Sequence, residues 1–151
     1  MISRPDHVLV IEDTMSIAMV FRSWLARKDI QAEFAGTGAE GLEKIRSGHY
    51  RAVLLDLQLP DTNGLEILKQ VQRENLDVAV VVVTASGSIS NAVEAMRLGA
   101  YDFVVKPASE ERLVTTMRNA LERTSLRRAV AISARASRKP ARTASSAPAC
   151  R

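Results

Sequence analysis

Short apolar runs alternate five times along the chain with stretches of helical spacing. His7–Ile11, Gln31–Ala35, Ala52–Asp56, Val78–Thr84 and Asp102–Lys106 read as strands. Met15–Lys28, Ala39–Ser47, Gly64–Glu74, Ile89–Leu98 and Glu110–Arg123 read as helices. The first, third and fourth strands are nearly continuous Val, Leu and Ile, the composition of strands covered on both faces. Gln31-Ala32-Glu33-Phe34 alternates instead, which suits an edge. Ser88 is placed to cap the fourth helix, and Gly99 to end it as a C′ glycine. Repeated β-α units with short connections predict an α/β domain with a parallel sheet, right-handed crossovers and helices on both faces.

Composition adds a boundary. A length of 151 residues fits one domain with a core large enough to fold unaided. Residues 1–123 hold 14 Lys and Arg against 17 Asp and Glu, whereas residues 124–151 hold seven basic and no acidic side chains. The formal charge of +4 is therefore a property of the tail and does not make the folded part a nucleic-acid binder. Leu113, Met117, Ala120, Leu121 and Thr124 keep a helical spacing that Leu126 and Val130 can prolong, so the domain is set at 1–123 with a fifth helix open to extension to about residue 132. Residues 133–151, rich in Ala, Ser, Arg and Pro, bury too little to offset their ordering entropy and are expected to be a disordered basic tail. Cys150 is the sole cysteine, which excludes a disulfide framework and a zinc cluster. No run approaches the roughly 20 apolar residues of a membrane span, and the amino terminus does not read as a signal peptide. The expected location is cytoplasmic.

The strand ends carry the chemistry. Val8–Ile11 leads into Glu12-Asp13, Ala52–Leu55 into Asp56, Val78–Val83 into Thr84, and Phe103–Val105 into Lys106-Pro107. In an open parallel sheet, carboxyl ends of strands converge on one crevice. Two carboxylates ~5 Å apart repel by roughly 3 kcal/mol at an effective dielectric of about 20. A divalent cation removes that repulsion, and Mg²⁺ takes one or two carboxylates plus phosphate oxygens while keeping waters. The matching reaction is attack of the Asp56 carboxylate on a phosphoryl group, giving an aspartyl phosphate, with Lys106 and the metal neutralising the developing charge. Thr84 offers a hydroxyl to one phosphoryl oxygen. Taken singly, Glu-Asp after a strand is a helix cap, a strand-end Asp a turn former, and Lys-Pro a loop. The combination at four strand ends outweighs those readings.

With these residues, the chain from 6 to 123 resembles the receiver domain of two-component response regulators. The resemblance rests on Glu12-Asp13, the segment Leu55-Asp56-Leu57-Gln58-Leu59-Pro60-Asp61-Thr62-Asn63-Gly64, Thr84-Ala85 and Lys106-Pro107. It implies a doubly wound, flavodoxin-like (CheY-like) fold with strand order 2-1-3-4-5. It also implies Asp56 as phosphoacceptor, and Mg²⁺ held by Asp13, Asp56 and the Gln58 carbonyl, with Glu12 acting through water. Thr84, the Ala85 amide and Lys106 would contact the phosphoryl group, and the peptide before Pro107 would be cis. Phe103 would take the switch position, moving inward when Thr84 moves. The implied phosphodonor is a sensor histidine kinase or phosphotransfer protein. The implied output is a change on the face of helix 4, strand 5 and helix 5, where Glu94, Arg97, Arg112 and Arg118 place mixed charge and where self-association would occur. Gly87 to Phe103 looks like receivers of NtrC-class, sigma-54-dependent activators, but no G-x-x-x-x-G-K-[ST] motif occurs here, so direct transcription activation is not expected.

Rival readings are weaker. Gly36-Thr37-Gly38-Ala39-Glu40-Gly41 matches a dinucleotide fingerprint, yet it follows an edge-like strand rather than a central one. A phosphatase resembling the haloacid dehalogenases needs an acid two residues after its nucleophile, where this chain has Gln58. The chain is thus read as a phosphoacceptor rather than an enzyme, with slow self-dephosphorylation open to it. The alternatives are a scaffold that is not phosphorylated and a regulator acting on nucleic acid through its tail, which has no aromatic residue for base stacking.

Overall fold

The apolar runs assemble into one parallel sheet of five strands, β1 (Asp6–Ile11), β2 (Ile30–Ala35), β3 (Ala52–Leu55), β4 (Ala79–Thr84) and β5 (Asp102–Val105). Its order is β2-β1-β3-β4-β5, as the resemblance implied. The connecting helices are α1 (Met15–Ala26), α2 (Gly38–Arg46), α3 (Gly64–Arg73) and α4 (Ile89–Arg97). A fifth helix, α5, covers residues 110–126. The computed structural model describes residues 6–126, Ser86 excepted. The expected extension of α5 to about 132 and the basic tail of residues 133–151 lie outside the described residues.

Strand alternation sends side chains into two core layers. Val8, Val10, Leu54, Val81 and Val104 pack with Phe21 and Leu25 of α1 and with Leu113, Met117 and Leu121 of α5. Leu9, Ile11, Val53, Leu55 and Val82 pack on the opposite face with Ile45 of α2, Ile67, Leu68 and Val71 of α3, and Ala95 of α4. Every residue of β3 and β4 is buried, whereas β2 alternates as its edge place requires. Trp24 is half-buried against the α1–α5 layer beside Phe21, with ring centroids 5.8 Å apart.

Element ends follow local hydrogen bonding. Ser88 Oγ accepts the Asn91 amide at 3.2 Å and starts α4, and Gly99 at φ 95° ends it. α1 stops at Ala26, short of the expected Lys28, where the chain turns through Asp29 at φ 61°. Asp56 and Lys106, expected as final strand residues, lie one position past β3 and β5. Their amides still extend the ladder, Asp56 N–H to Ile11 O and Lys106 N–H to Thr84 O, both at 3.0 Å. Both side chains thereby stand at the carboxyl edge of the sheet.

Candidate functional site

Parity along the strands decides which strand-end groups meet. Glu12, Asp56 and Lys106 continue the alternation of Val10, Leu54 and Val104, which face α1 and α5. Their side chains converge accordingly. Lys106 Nζ donates to Glu12 Oε1 at 2.6 Å and to Asp56 Oδ2 at 2.9 Å. Glu12 and Asp56 are each 5% exposed, and Asp13, the next residue after Glu12, lies open to solvent. One carboxylate oxygen from each of Glu12, Asp13 and Asp56 falls within 4.8 Å of the others. Three carboxylates against one ammonium leave an excess of negative charge that a hard dication suits, so the donor set fits a metal of this kind.

The electrostatics reflect the crowding. Burial pushes the Glu12 carboxyl above its ordinary range; the Lys106 bond opposes this and the neighbouring Asp56 adds to it. Burial also disfavours the Lys106 ammonium, but its bonds to Glu12 and Asp56 prevail and its pKa is raised. Lys106 is thus a fixed cation at this edge.

The loop after β3 is shaped around Asp56. Asp56 Oδ1 accepts the Gln58 amide at 3.0 Å, and Gln58 pairs with Asn63 in an antiparallel bridge. Gly64 N–H donates to Leu57 O at 2.8 Å, and any Cβ on Gly64 would stand 2.5 Å from the Asp56 carbonyl oxygen, so only glycine lets the loop close there. Asn63 Oδ1 then caps α3 through the Leu65 amide at 2.9 Å. Gln58 and Ala85 are exposed at the rim.

Thr84 ends β4 fully buried, with the opposite parity from Lys106. Phe103, the β5 partner of Val82, is half-buried in the layer under α4. Thr84 and Phe103 therefore share the face of the sheet away from Glu12, Asp56 and Lys106. The Lys106–Pro107 peptide is cis.

Residues 8–118 match the family model described as response regulator receiver domain. The chain belongs to that family. The receiver is 44% identical over 116 residues to the regulatory protein LuxO of Vibrio cholerae, an alignment covering 77% of this chain and 26% of LuxO. The chain thus spans about a quarter of the length of that curated relative. Its fold matches the crystal structure of the signal receiver domain of a LuxO repressor protein from Vibrio parahaemolyticus with a TM-score of 0.81 and 30% identity, over 85% of this chain and 98% of that one. It also matches the solution structure of the beryllofluoride-activated NtrC4 receiver domain dimer with a TM-score of 0.74 and 32% identity, over 78% of this chain and 98% of that one. The chain is accordingly a receiver domain of two-component signal transduction, from a family known for phosphoacceptor function that generally binds Mg²⁺ and interacts with histidine kinases or phosphotransfer proteins.

One expected placement differs. Arg118 lines a groove of about 420 Å³ between α5 and the turn that follows α1, beside Lys28, Glu110 and Val114. It therefore faces the α1 side, because the helical turn that buries Met117 and Leu121 rotates residue 118 away from β5. Glu94 and Arg97 pair at 2.6 Å, and Arg112 reaches Asp102 at 3.4 Å. A further polar contact was not foreseen: Asp61 accepts the amides of Gly38 and Ala39 at 2.8 and 3.0 Å, across 23 and 22 residues. No periodic signal marks such a contact in the sequence. Among the described residues no helix is long and apolar enough to cross a membrane.

Proposed function

We propose that Asp56 is the phosphoacceptor of this receiver, taking a phosphoryl group from a phosphohistidine of a sensor kinase or phosphotransfer protein in a Mg²⁺-dependent step. The observation that carries this reading is the position of Lys106 Nζ, hydrogen-bonded to both Glu12 and Asp56 at the carboxyl edge of β1, β3 and β5. Asp13, Asp56 and the Gln58 carbonyl would hold Mg²⁺, with Glu12 acting through water. When bound, the ion supplies charge neutralisation for phosphoryl oxygens. Asp56 attacks phosphorus as the bond from phosphorus to the donor imidazole nitrogen breaks. Lys106 then exchanges part of its carboxylate partnership for a phosphoryl oxygen, while the Thr84 hydroxyl and the Ala85 amide take the others. Phosphoryl transfer occurs onto the protein itself, and slow release to water returns the carboxylate.

In this reading Thr84 draws toward the phosphoryl group and Phe103 follows on the same face of the sheet. The surface of α4, β5 and α5 repacks, and a second copy or another partner reads it. Ile89, Val93, Met96 and Val105 are exposed there, an apolar strip suited to protein contact. The family, the charge of the folded part and the lack of a membrane-crossing helix among the described residues favour a cytoplasmic place and no nucleic-acid contact by the domain.

Incubating the protein with Mg²⁺ and acetyl phosphate or phosphoramidate, then measuring intact mass, tests the reading. One added phosphoryl group on the wild type and none on Asp56→Asn is the expected result. Phosphorylation of the Asn variant would reassign the acceptor, and none on either protein would favour a scaffold.

A further inference from the structure

The glycine-rich turn at Gly36–Gly41 opens α2. Thr37 Oγ1 accepts the Glu40 amide at 3.1 Å, and Glu40 Oε1 accepts the Gly36 amide at 3.2 Å. Gly41 N–H bonds to the Thr37 carbonyl at 3.0 Å. That leaves the Gly38 and Ala39 amides, two of the donors that every helix start leaves without a partner in the helix. In dinucleotide-binding proteins a pyrophosphate occupies this position. Here the occupant is internal: the Asp61 carboxylate takes both amides, Oδ1 from Gly38 at 2.8 Å and Oδ2 from Ala39 at 3.0 Å. These backbone bonds hold the Asp61 carboxyl below its ordinary range.

Asp61 is also the tip of the loop that begins at Asp56. That loop is closed at its base by the Gln58–Asn63 bridge and by Gly64 N–H to Leu57 O. Its tip lies directly on α2. A Cβ on Gly38 would collide with the Thr62 side chain and stand 3.1 Å from Ile67 Cδ1. The far end of α2 is in turn tied to α3 by Arg46 Nε to Glu74 Oε1 at 2.8 Å. The segment between Asp56 and Gly64 is therefore anchored at its base and at its tip, and α2 holds the tip.

We infer that Asp61 is a positioning residue for the phosphoacceptor site: seated on the amino end of α2, its carboxylate holds the loop of Asp56 and Gln58 in the conformation that the metal requires. The inference rests on the metal placement given under Proposed function. Asp61 touches neither metal nor phosphoryl group; it acts through the backbone of residues 57–60. Gly36–Gly41 accordingly serves as a receptor for a carboxylate from the same chain, and the phosphoacceptor loop and the second helix move as one unit.

The test uses the full chain as wild type, Asp61→Ala and Asp61→Asn. Mg²⁺ affinity is measured by calorimetric titration, and amide hydrogen exchange over residues 56–64 is followed without metal. Asp61→Ala is expected to weaken Mg²⁺ binding ~10-fold, the usual scale for loss of an outer partner of a metal site, and to speed exchange of the loop amides. Asp61→Asn, which keeps one acceptor oxygen, is expected to fall between. A lowered melting temperature with unchanged Mg²⁺ affinity in Asp61→Ala would reduce Asp61 to a helix cap and overturn the inference alone. Failure of the wild type to bind Mg²⁺ would overturn the underlying metal placement as well.

Discussion

Lys106 Nζ lies 2.9 Å from Asp56 Oδ2 across 50 residues of sequence, and the same ammonium reaches Glu12. One cation is shared between two carboxylates that are almost completely buried. Such an arrangement leaves the acidic pair stable without a metal and ready to release Lys106 to a phosphoryl oxygen. Removing the cation exposes what it balances.

For Lys106→Met, we expect a loss of about 3 kcal/mol at neutral pH, the scale for stripping one partner from a buried ion pair. Mg²⁺ should restore part of it. The Glu12 carboxyl is raised in the folded state, so its stabilising contribution is complete below the unfolded value of 4.5 and is lost as pH rises through the folded value. Without the Lys106 bond that shift grows, and the variant should lose stability over a wider span above pH 4.5 than the wild type does. Urea melts at a series of pH values check this; parallel profiles for the two proteins would refute it.

Asp13 is exposed, so Asp13→Ala should fold as well as the wild type. What it should lose is response to Mg²⁺. An ion that binds only the folded chain stabilises it by about 2.7 kcal/mol at 100 times its dissociation constant. Thermal melts across a Mg²⁺ series are expected to rise for the wild type and stay flat for Asp13→Ala.

Tyr50 tests the far edge of the sheet. Its hydroxyl donates to Glu33 Oε1 at 2.7 Å, and burial, then that bond, push its pKa up to about 12. The folded state therefore holds the phenolic proton more tightly than the unfolded chain. This contribution is complete below pH 10 and disappears as pH rises toward about 12. Tyr50→Phe should cost about 1 kcal/mol at neutral pH and lose that alkaline dependence. Denaturant midpoints between pH 8.5 and 11.5, taken as roughly bracketing the ordinary tyrosine pKa, separate the two proteins.

Thr84 and Phe103 supply the prediction on signalling. Beryllofluoride, a mimic of the phosphoryl group, is expected to alter hydrogen exchange over residues 84–106 and to raise dimer content in sedimentation. Thr84→Ala should still bind the mimic but show neither change. Identical exchange with and without the mimic in the wild type would place the signal elsewhere and leave phosphorylation of Asp56 standing.

The sequence by itself determined the layers, the order of elements and the edge at which chemistry gathers. Short Val-rich runs set between helical stretches read as strands buried on both faces, and their polar terminators then lie together because parallel strands end on one side. The same reasoning placed Glu12, Asp56, Thr84 and Lys106 at one edge, and Ser88 and Gly99 at the ends of α4. Only the tertiary structure decided which of these groups touch. Parity separated Thr84 and Phe103 from Lys106, and the turn of α5 carried Arg118 to the α1 side. The Asp61 bonds to Gly38 and Ala39 depend on two loops meeting after α2 and α3 have packed. Periodicity reports on the faces of single elements; contacts between loops have no period, so packing alone sets them.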